Sequence, residues 1–329
     1  MAVKLPTTTR SYYFPVRESY KNLTLQTTPL PALKSTFVLV KIYAVSLQYR
    51  DLMIASNTYA RGGIPENLVP CSDMAGEVVA VGSDVTRWTV GDRVCSNFST
   101  DHLDGDVDAE IIKTALGGGQ HGVLTEYRAF PDYSLVKIPE HLSYEEASTL
   151  PCAALTAYNA LMGPKPVKAG DTVLVLGTGG VSIFGLQFAL ASGATVIATS
   201  SSDAKLEISK KLGGADAHRG TGCRSYFGDS SFNVQIGGPG TFEKSLAAVR
   251  YAGYIHIIGA VAQSAPIATS IGSVAQFESM TRLLRAHPEL TRPVIDKVFS
   301  FEDAVDAYAY LESQKHVGKV VIRVSPASK

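Results

Sequence analysis

Between Asp171 and Lys205 the chain reads DTVLVLGTGGVSIFGLQFALASGATVIATSSSDAK, and this stretch leaves it few folds. A short apolar β-type run, Thr172–Leu176, enters a turn of Gly177, Thr178, Gly179 and Gly180. An apolar helix-like segment follows from Val181 to Ala191, then a second β-type run, Thr195–Thr199. Strand, turn without bulky side chains, helix and strand make the βαβ unit of a parallel sheet. At its centre, unpaired backbone N–H groups and the positive end of a helix dipole converge where a diphosphate would sit. The pattern predicts a dinucleotide cradle with Gly177, Gly179, Gly180 and Val181 at the phosphates. Its third glycine position carries Ser182, so the match to the G-x-G-x-x-G fingerprint is partial.

The end of the second run decides which dinucleotide. An acid there would accept the ribose 2′-hydroxyl of NAD, but this chain has Ser200, Ser201 and Ser202, with Lys205 just beyond. Small hydroxyls and an ammonium suit a 2′-phosphate, which a carboxylate would repel. The residues predict NADPH (NADP+) as cofactor. The alternative is that Ser202 or Asp203 caps a helix over Ala204–Leu212 and Lys205 is a solvated charge.

A chain of 329 residues with 45% hydrophobic content suits two domains with sizeable cores. Thirty basic residues balance thirty acidic ones, which gives no electrostatic footprint for nucleic acid or an acidic membrane surface. Cys71, Cys95, Cys152 and Cys223 form no C-x-x-C pair, and the first residues show no signal-peptide core. They read as free thiols in a reducing compartment, so a cytoplasmic location is expected. The most apolar stretches are interrupted by Gly, Ser and Gln, which argues against a membrane span.

Residues 1–130 have β-rich patterning: Phe37–Val45, Ala75–Val81 and Asp92–Val94 are separated by Gly, Pro and Asp turns. Helical signals begin near Ser143, where S-Y-E-E reads as a capping box before an apolar run through Met162. The tail, Val294–Phe299, Phe301–Glu312 and Gly318–Val324, reads strand, helix, strand. Three segments follow: residues 1–142, residues 143–285 containing the dinucleotide unit, and residues 286–329 returning to complete the first domain.

Several motifs in order, VSLQYRDLMI at 45–54, VPCSDMAGEVVAVG at 69–82, GDRV at 91–94, LPCAALTAYNAL at 150–161, LGTGGVSIFGLQFA at 176–189, GGPGT at 237–241 and GKVVIRV at 318–324, resemble the medium-chain dehydrogenase/reductase superfamily. Within it they resemble the zinc-independent quinone oxidoreductase and enoyl reductase-like branch. The resemblance implies an α/β fold: a GroES-like β-barrel catalytic domain, split in sequence around a Rossmann domain with a doubly wound parallel sheet. By resemblance, Gln48 and Tyr49 approach the nicotinamide, where asparagine is usual in place of Gln48. Tyr59 stands where enoyl reductases carry a tyrosine near the substrate, and a phenol can donate to or protonate an enolate. Thr156, Gly259, Ala260, Val261 and Lys319 are expected beside the cofactor on the same ground.

Alcohol dehydrogenases of this superfamily hold a catalytic zinc with Cys, His and Cys, and those positions fall here on Gln48, Ser72 and Cys152. One soft ligand in three does not hold zinc, so no metal is expected and Cys152 is predicted to be a small buried residue. The acidic run Asp101–Glu110 lacks EF-hand spacing and reads as a solvated loop. Gly117-Gly-Gly-Gln-His-Gly122 reads as a flexible lid beside the substrate, with His121 a loop residue rather than an acid catalyst. Two stretches are shorter than in relatives. Between Gly213 and Gly240 a crossover helix is expected to be lost, which makes the parallel sheet a shortened one. After Ala262, a strand aligned with Pro266–Ser273 pairs across a dimer in many relatives, so the resemblance leaves a homodimer open.

These readings predict a zinc-independent, NADPH-dependent oxidoreductase that transfers hydride to an activated small molecule, an α,β-unsaturated carbonyl or a quinone. Met53, Phe98 and Tyr127 would suit an apolar or aromatic one. The alternative is a reductase fold with a non-redox function: a ligand-binding module, or an isomerase or cyclase using the same pocket.

Overall fold

A computed structural model describes residues 5–59, 63–163, 165–214, 216–219, 230–235, 239–258 and 271–326, for 216–219, 230–235 and 239–242 as backbone only. In chain order the elements begin with β1 (Thr8–Tyr13), β2 (Thr24–Pro29), β3 (Phe37–Leu47), α1 (Tyr49–Ala55), β4 (Asp73–Val81) and β5 (Arg93–Ser96). Then come α2 (Ala109–Lys113), β6 (Tyr127–Pro131), β7 (Leu135–Lys137), α3 (Tyr144–Ser148), α4 (Leu155–Met162), β8 (Thr172–Leu176), α5 (Gly180–Ala191) and β9 (Thr195–Ser200). The rest are α6 (Asp203–Lys211), β10 (Asp216–Arg219), β11 (Ser230–Gln235), α7 (Pro239–Ala248), β12 (Val249–Ile257), α8 (Val274–Ala286), β13 (Ile295–Ser300), α9 (Ala304–Glu312) and β14 (Lys319–Arg323).

The chain divides into two compact units. One joins Met1–Cys152, Ser273–Thr281 and Ile295–Lys329; the other joins Ala153–Gly272 and Arg282–Val294. The first is built on a sheet ordered β13-β14-β3-β4-β5-β7, with β6 paired to β3. β3 is its axis. Its eleven residues are almost all buried, as a β-branched and aromatic run covered on both faces should be. Antiparallel register sets Ser46 opposite Val321 of β14 on one side and Asp73 of β4 on the other. That places the end of β3, the start of β4 and the start of β14 together.

The helix α9 closes this unit. Tyr308 and Phe301 are buried, with Phe301 edge-on to Tyr12 at 5.1 Å and Tyr308 edge-on to Phe14 at 6.4 Å. The expected capping box at α3 is present: Ser143 accepts from the Glu146 N–H at 3.1 Å and Glu146 accepts from the Ser143 N–H at 2.8 Å. Such a pair fixes the helix start by about 1 kcal/mol. Tyr144, just inside the cap, stacks on Tyr43 of β3 at 4.4 Å and donates to Glu77 of β4 at 3.2 Å.

In the second unit five parallel strands run in the order β10-β9-β8-β11-β12. In chain order within the unit this is third, second, first, fourth, fifth, the doubly wound arrangement whose reversal lies beside β8. Residues 220–229, where a crossover helix was expected to be lost, lie outside the described residues, as do residues 266–270 of the expected dimer strand. Residues 271–273, the end of that stretch, are not in a strand.

Candidate active site

The sequence from β8 into α5 folds as its composition requires. Gly177 has φ +84°, the left-handed region that a side chain strains, and its N–H donates to the Thr199 carbonyl at 2.9 Å, tying the turn to the end of β9. α5 begins at Gly180, one residue before the helix-like run. Ser182 occupies the third glycine position because its hydroxyl turns inward and donates to the Leu176 carbonyl at 2.8 Å. It takes the place of a glycine without an unpaired buried hydroxyl. α5 is buried around most of its circumference, with Phe184 and Phe188 at its centre and Tyr158 of α4 edge-on to Phe188 at 6.1 Å.

The cradle is open where a diphosphate would need it. Gly179 caps α5 with no side-chain hydrogen bond, the first turn holds no acid, and a Cβ built on Gly179 would meet nothing within 4 Å. The N–H groups of Gly180 and Val181 begin this helix at the carboxyl end of β8, beside the reversal of strand order. At the end of β9, Ser200 is buried and its hydroxyl accepts from the Ser202 N–H at 3.3 Å, while Ser201 is exposed. Ser202 occupies the N-cap of α6 without a side-chain cap bond, and Lys205 lies in that helix, partly exposed. Thr156 is buried in α4. Gly259, Ala260 and Val261 fall outside the described residues.

In the other unit, the three positions aligned with zinc ligands are drawn together by hydrogen bonds. Gln48 Nε2 donates to Ser72 Oγ at 2.6 Å and to Asp73 Oδ1 at 3.0 Å, and the Cys152 thiol donates to Gln48 Oε1 at 2.7 Å. Ser72 Oγ in turn donates to Asp73 Oδ1 at 2.6 Å. Asp51, three residues into α1, accepts from the Gln48 N–H at 2.9 Å, so the capping box of a short helix also fixes the amide's backbone. Lys319, the first residue of β14, is buried and donates to the Leu47 carbonyl at 2.6 Å.

The electrostatics of this cluster favour protons. Burial pushes the Asp73 carboxyl up to about 7, against the pull of the Lys319 ammonium and the Ser72 hydroxyl. Burial likewise pushes Asp51 up to about 6, against the Gln48 N–H. Each acid keeps one buried oxygen, Asp73 Oδ2 and Asp51 Oδ1, with no hydrogen-bond partner, which suits a carboxyl that holds its proton. Burial also raises the Cys152 thiol. This donor set does not suit zinc, which is bound by thiolate, imidazole or carboxylate: the amide and hydroxyl are spent on each other and on Asp73, and the sulfur stays protonated. Among the described residues no group of three His, Cys, Asp or Glu could hold a metal ion.

Tyr59 is held by its ring. The Arg50 guanidinium lies over it at 5.0 Å and over Phe98 at 4.7 Å, while Arg50 Nη1 donates to the Leu116 carbonyl at 2.9 Å. Tyr49 is exposed at the first position of α1. Two expectations need correction. Cys152 is partly exposed as a residue, in a π-helical turn, Leu150–Ala154, rather than buried, although its sulfur is turned inward to the Gln48 amide. The run 117–122 is a close-packed turn rather than an open lid. A Cβ on Gly118 would overlap the Arg50 guanidinium, and His121 Nδ1 accepts from the Val69 N–H at 3.2 Å.

Sequence reasoning missed Arg50, Asp51 and Asp73. The available signal was Asp51 and Asp73, each set beside apolar residues in LQYRDLMIA and CSDMAGEVV, since a buried acid is rare unless it is paired or functional.

Comparison with known proteins agrees with both halves of this description. Residues 34–140 match the alcohol dehydrogenase GroES-like domain family, and residues 228–322 match the zinc-binding dehydrogenase family. A zinc-type alcohol dehydrogenase-like protein of Schizosaccharomyces pombe is 42% identical over 322 residues, covering 87% of this chain and 90% of that protein. The 2-methylene-furan-3-one reductase of Solanum lycopersicum is 34% identical over 310 residues, covering 90% of this chain and 74% of that one. A solved structure from Sinorhizobium meliloti 1021, described as an alcohol dehydrogenase, superimposes with a TM-score of 0.88 at 33% identity, covering 98% of this chain and 100% of its own. No helix among the described residues is long and apolar enough to cross a membrane. With a GroES-like barrel, a doubly wound sheet carrying a dinucleotide turn, and relatives of this extent, the chain belongs to the medium-chain dehydrogenase/reductase superfamily of oxidoreductases.

Proposed function

We propose that this oxidoreductase reduces an activated double bond, in an α,β-unsaturated carbonyl or a quinone-like small molecule, with NADPH and without zinc. The observation that carries the reading is the cluster of Gln48, Ser72, Asp73 and Cys152. Where a zinc enzyme needs a Lewis acid on a carbonyl or alkoxide oxygen, this chain has a neutral, proton-rich hydrogen-bonded group. Hydride addition at a carbon conjugated to a carbonyl leaves the charge on an enolate oxygen, so positioned donors and a proton source suffice. The named substrate of the tomato relative, a methylene group conjugated to a ring ketone, has this chemistry.

NADPH fits the second unit on the chain's own features. Gly177, Gly179, Gly180 and Val181 form an uncapped, acid-free helix N-terminus for the diphosphate, and Ser200, Ser201 and Lys205 offer hydroxyls and an ammonium to a 2′-phosphate. When bound, the reduced nicotinamide supplies the hydride. Gln48 holds Ser72 and Asp73 in place, Asp73 holds its proton up to about pH 7, and Tyr59, its ring fixed by Arg50, supplies a phenolic donor. Thr156 and Lys319 are proposed at the cofactor on family resemblance alone.

The test is NADPH oxidation by metal-depleted protein over a panel of conjugated enones and quinones, beside titrations with NADPH and NADH. Turnover of an enone or quinone that chelator leaves unchanged, with NADPH bound more tightly than NADH, supports the reading. Alcohol oxidation that requires stoichiometric zinc, or no turnover of any acceptor despite tight NADPH binding, overturns it.

A further inference from the structure

The first unit contains a cavity of about 640 Å³ that Gln48, Tyr49 and Tyr59 do not line; Tyr127, expected beside the substrate, stands in its wall instead. Its walls come from the β1–β2 hairpin, the chain after β2, and the paired strands β3 and β6. The volume is in the range of small-molecule sites, which are largely apolar with a few fixed polar groups. Here Leu30, Phe37, Leu39 and Val69 supply apolar wall, and Arg128 and Lys34 supply the cations.

Arg128 is the informative residue. Its Nη1 donates to the carbonyls of His121, at 2.5 Å, and Gly122, at 2.6 Å, and its Nη2 reaches Gln120 Oε1 only at 3.4 Å. Its Nε is buried with no partner. Among the described residues no carboxylate is paired with it: burial is what acts on the guanidinium, pulling it down to about 10. A half-buried cation with only carbonyl and amide oxygens about it leaves a positive potential in the space beside it. The Lys34 ammonium lies over the Phe37 ring at 4.9 Å and adds to that potential. His121 adds none near neutral pH, because burial and Arg128 hold its ring below the usual histidine range. Glu66, exposed in the wall, sets the limit, since it would oppose a second negative charge on the ligand.

We infer that this cavity is a binding site, separate from the candidate active site, for a monocarboxylate with an apolar body, its carboxylate drawn to Arg128 and Lys34 and its body against Phe37 and Leu39. The unspent edge of the guanidinium, Nε and Nη2, is the edge that takes a carboxylate in a paired geometry.

The probe is octanoate, titrated calorimetrically into the full chain, with octanamide as its uncharged match. Octanoate is expected to bind, and octanamide at least about tenfold more weakly, the value of one charge-assisted hydrogen bond. Thr28→Trp, which fills the cavity from the hairpin, should abolish binding with the far-UV spectrum unchanged. Arg128→Gln should weaken it about tenfold. Should that variant fail to fold, Lys34→Met, on the surface, should still weaken octanoate and leave octanamide as it was. Equal affinity for octanoate and octanamide, octanoate binding that survives Thr28→Trp, or no octanoate binding at all overturns the assignment.

Discussion

Replacing Asp73 by asparagine should change how stability depends on pH. Asp73 is fully buried, its carboxyl is raised from 3.8 to about 7, and the principal cause is loss of water. An acid whose folded value lies above its unfolded value contributes stability that is fully present below about pH 4 and lost as pH rises through about 7. At about pH 5 the folded state holds the proton and the unfolded state does not, a difference of about two pH units or about 3 kcal/mol; by about pH 8 almost none of it remains. Asp51, raised to about 6, follows the same direction and adds about 1 kcal/mol over the same interval. The wild-type protein should therefore lose a few kcal/mol between these pH values from the two acids together. Asp73→Asn should lose about 3 kcal/mol less. The asparagine oxygen can still accept from Gln48 and Ser72, so the contacts at Oδ1 survive and the pH dependence is isolated from them. The assay is urea denaturation of both proteins at about pH 5, 6, 7 and 8, followed by the emission of the only tryptophan, Trp88, which is buried in the same unit and donates to the Asp132 carbonyl at 2.7 Å. Parallel stability profiles for the two proteins would refute the claim that Asp73 is buried at the expense of its charge.

Three further outcomes follow from the same geometry. Gly177→Ala forces a side chain into φ +84° and should destabilise the protein by about 1–2 kcal/mol, with weaker NADPH binding, as read by thermal denaturation and by titration; an unchanged midpoint would count against the strained turn. Lys205→Glu should cost NADPH about tenfold or more in affinity while NADH changes little, in paired titrations, and equal losses for both would remove the 2′-phosphate role. Tyr59→Phe should lower kcat for an enone by about a hundredfold with NADPH affinity unchanged, and unaltered turnover would take the proton-donor role from it.

The second unit was the more legible in sequence. Its signal is local: Gly177 to Ser182 follow one another in the chain, and a run of apolar residues at helical length needs no distant partner to be recognised. The same holds for the Ser143–Glu146 capping box, where two residues three apart cap each other. The polar cluster is different in kind. Gln48, Asp73, Cys152 and Lys319 are far apart in sequence; the pairing of β3 with both β4 and β14, in a register that sets Ser46 between Asp73 and Val321, brings Gln48, Asp73 and Lys319 into reach, and Cys152 joins them from a separate turn through its hydrogen bond to Gln48. Resemblance aligned Gln48, Ser72 and Cys152 with the zinc-ligand positions, and so spoke only to a ligand set. It gave no indication that the amide of Gln48 would hold the other groups together. The close packing of residues 117–122 was misread for a related reason: glycine signals both freedom and crowding, and the neighbours that decide between them, Arg50 and Cys71, come from elsewhere in the chain.

The position of β14 has a consequence for how the protein is made. β14 lies between β13 and β3, supplies Lys319 to the polar cluster, and leaves the ribosome after the whole of the second unit has been synthesised. Until then β3 has a bare edge beside its other partners, and the carbonyl of Leu47 lacks its ammonium donor. The parallel-stranded unit, complete in sequence by Val294, is free to fold first, while the barrel waits on its last strand. A nascent chain stalled before Ile295 should therefore carry a protease-resistant second unit joined to a protease-sensitive first one, and release of the last strand should convert the second pattern into the first.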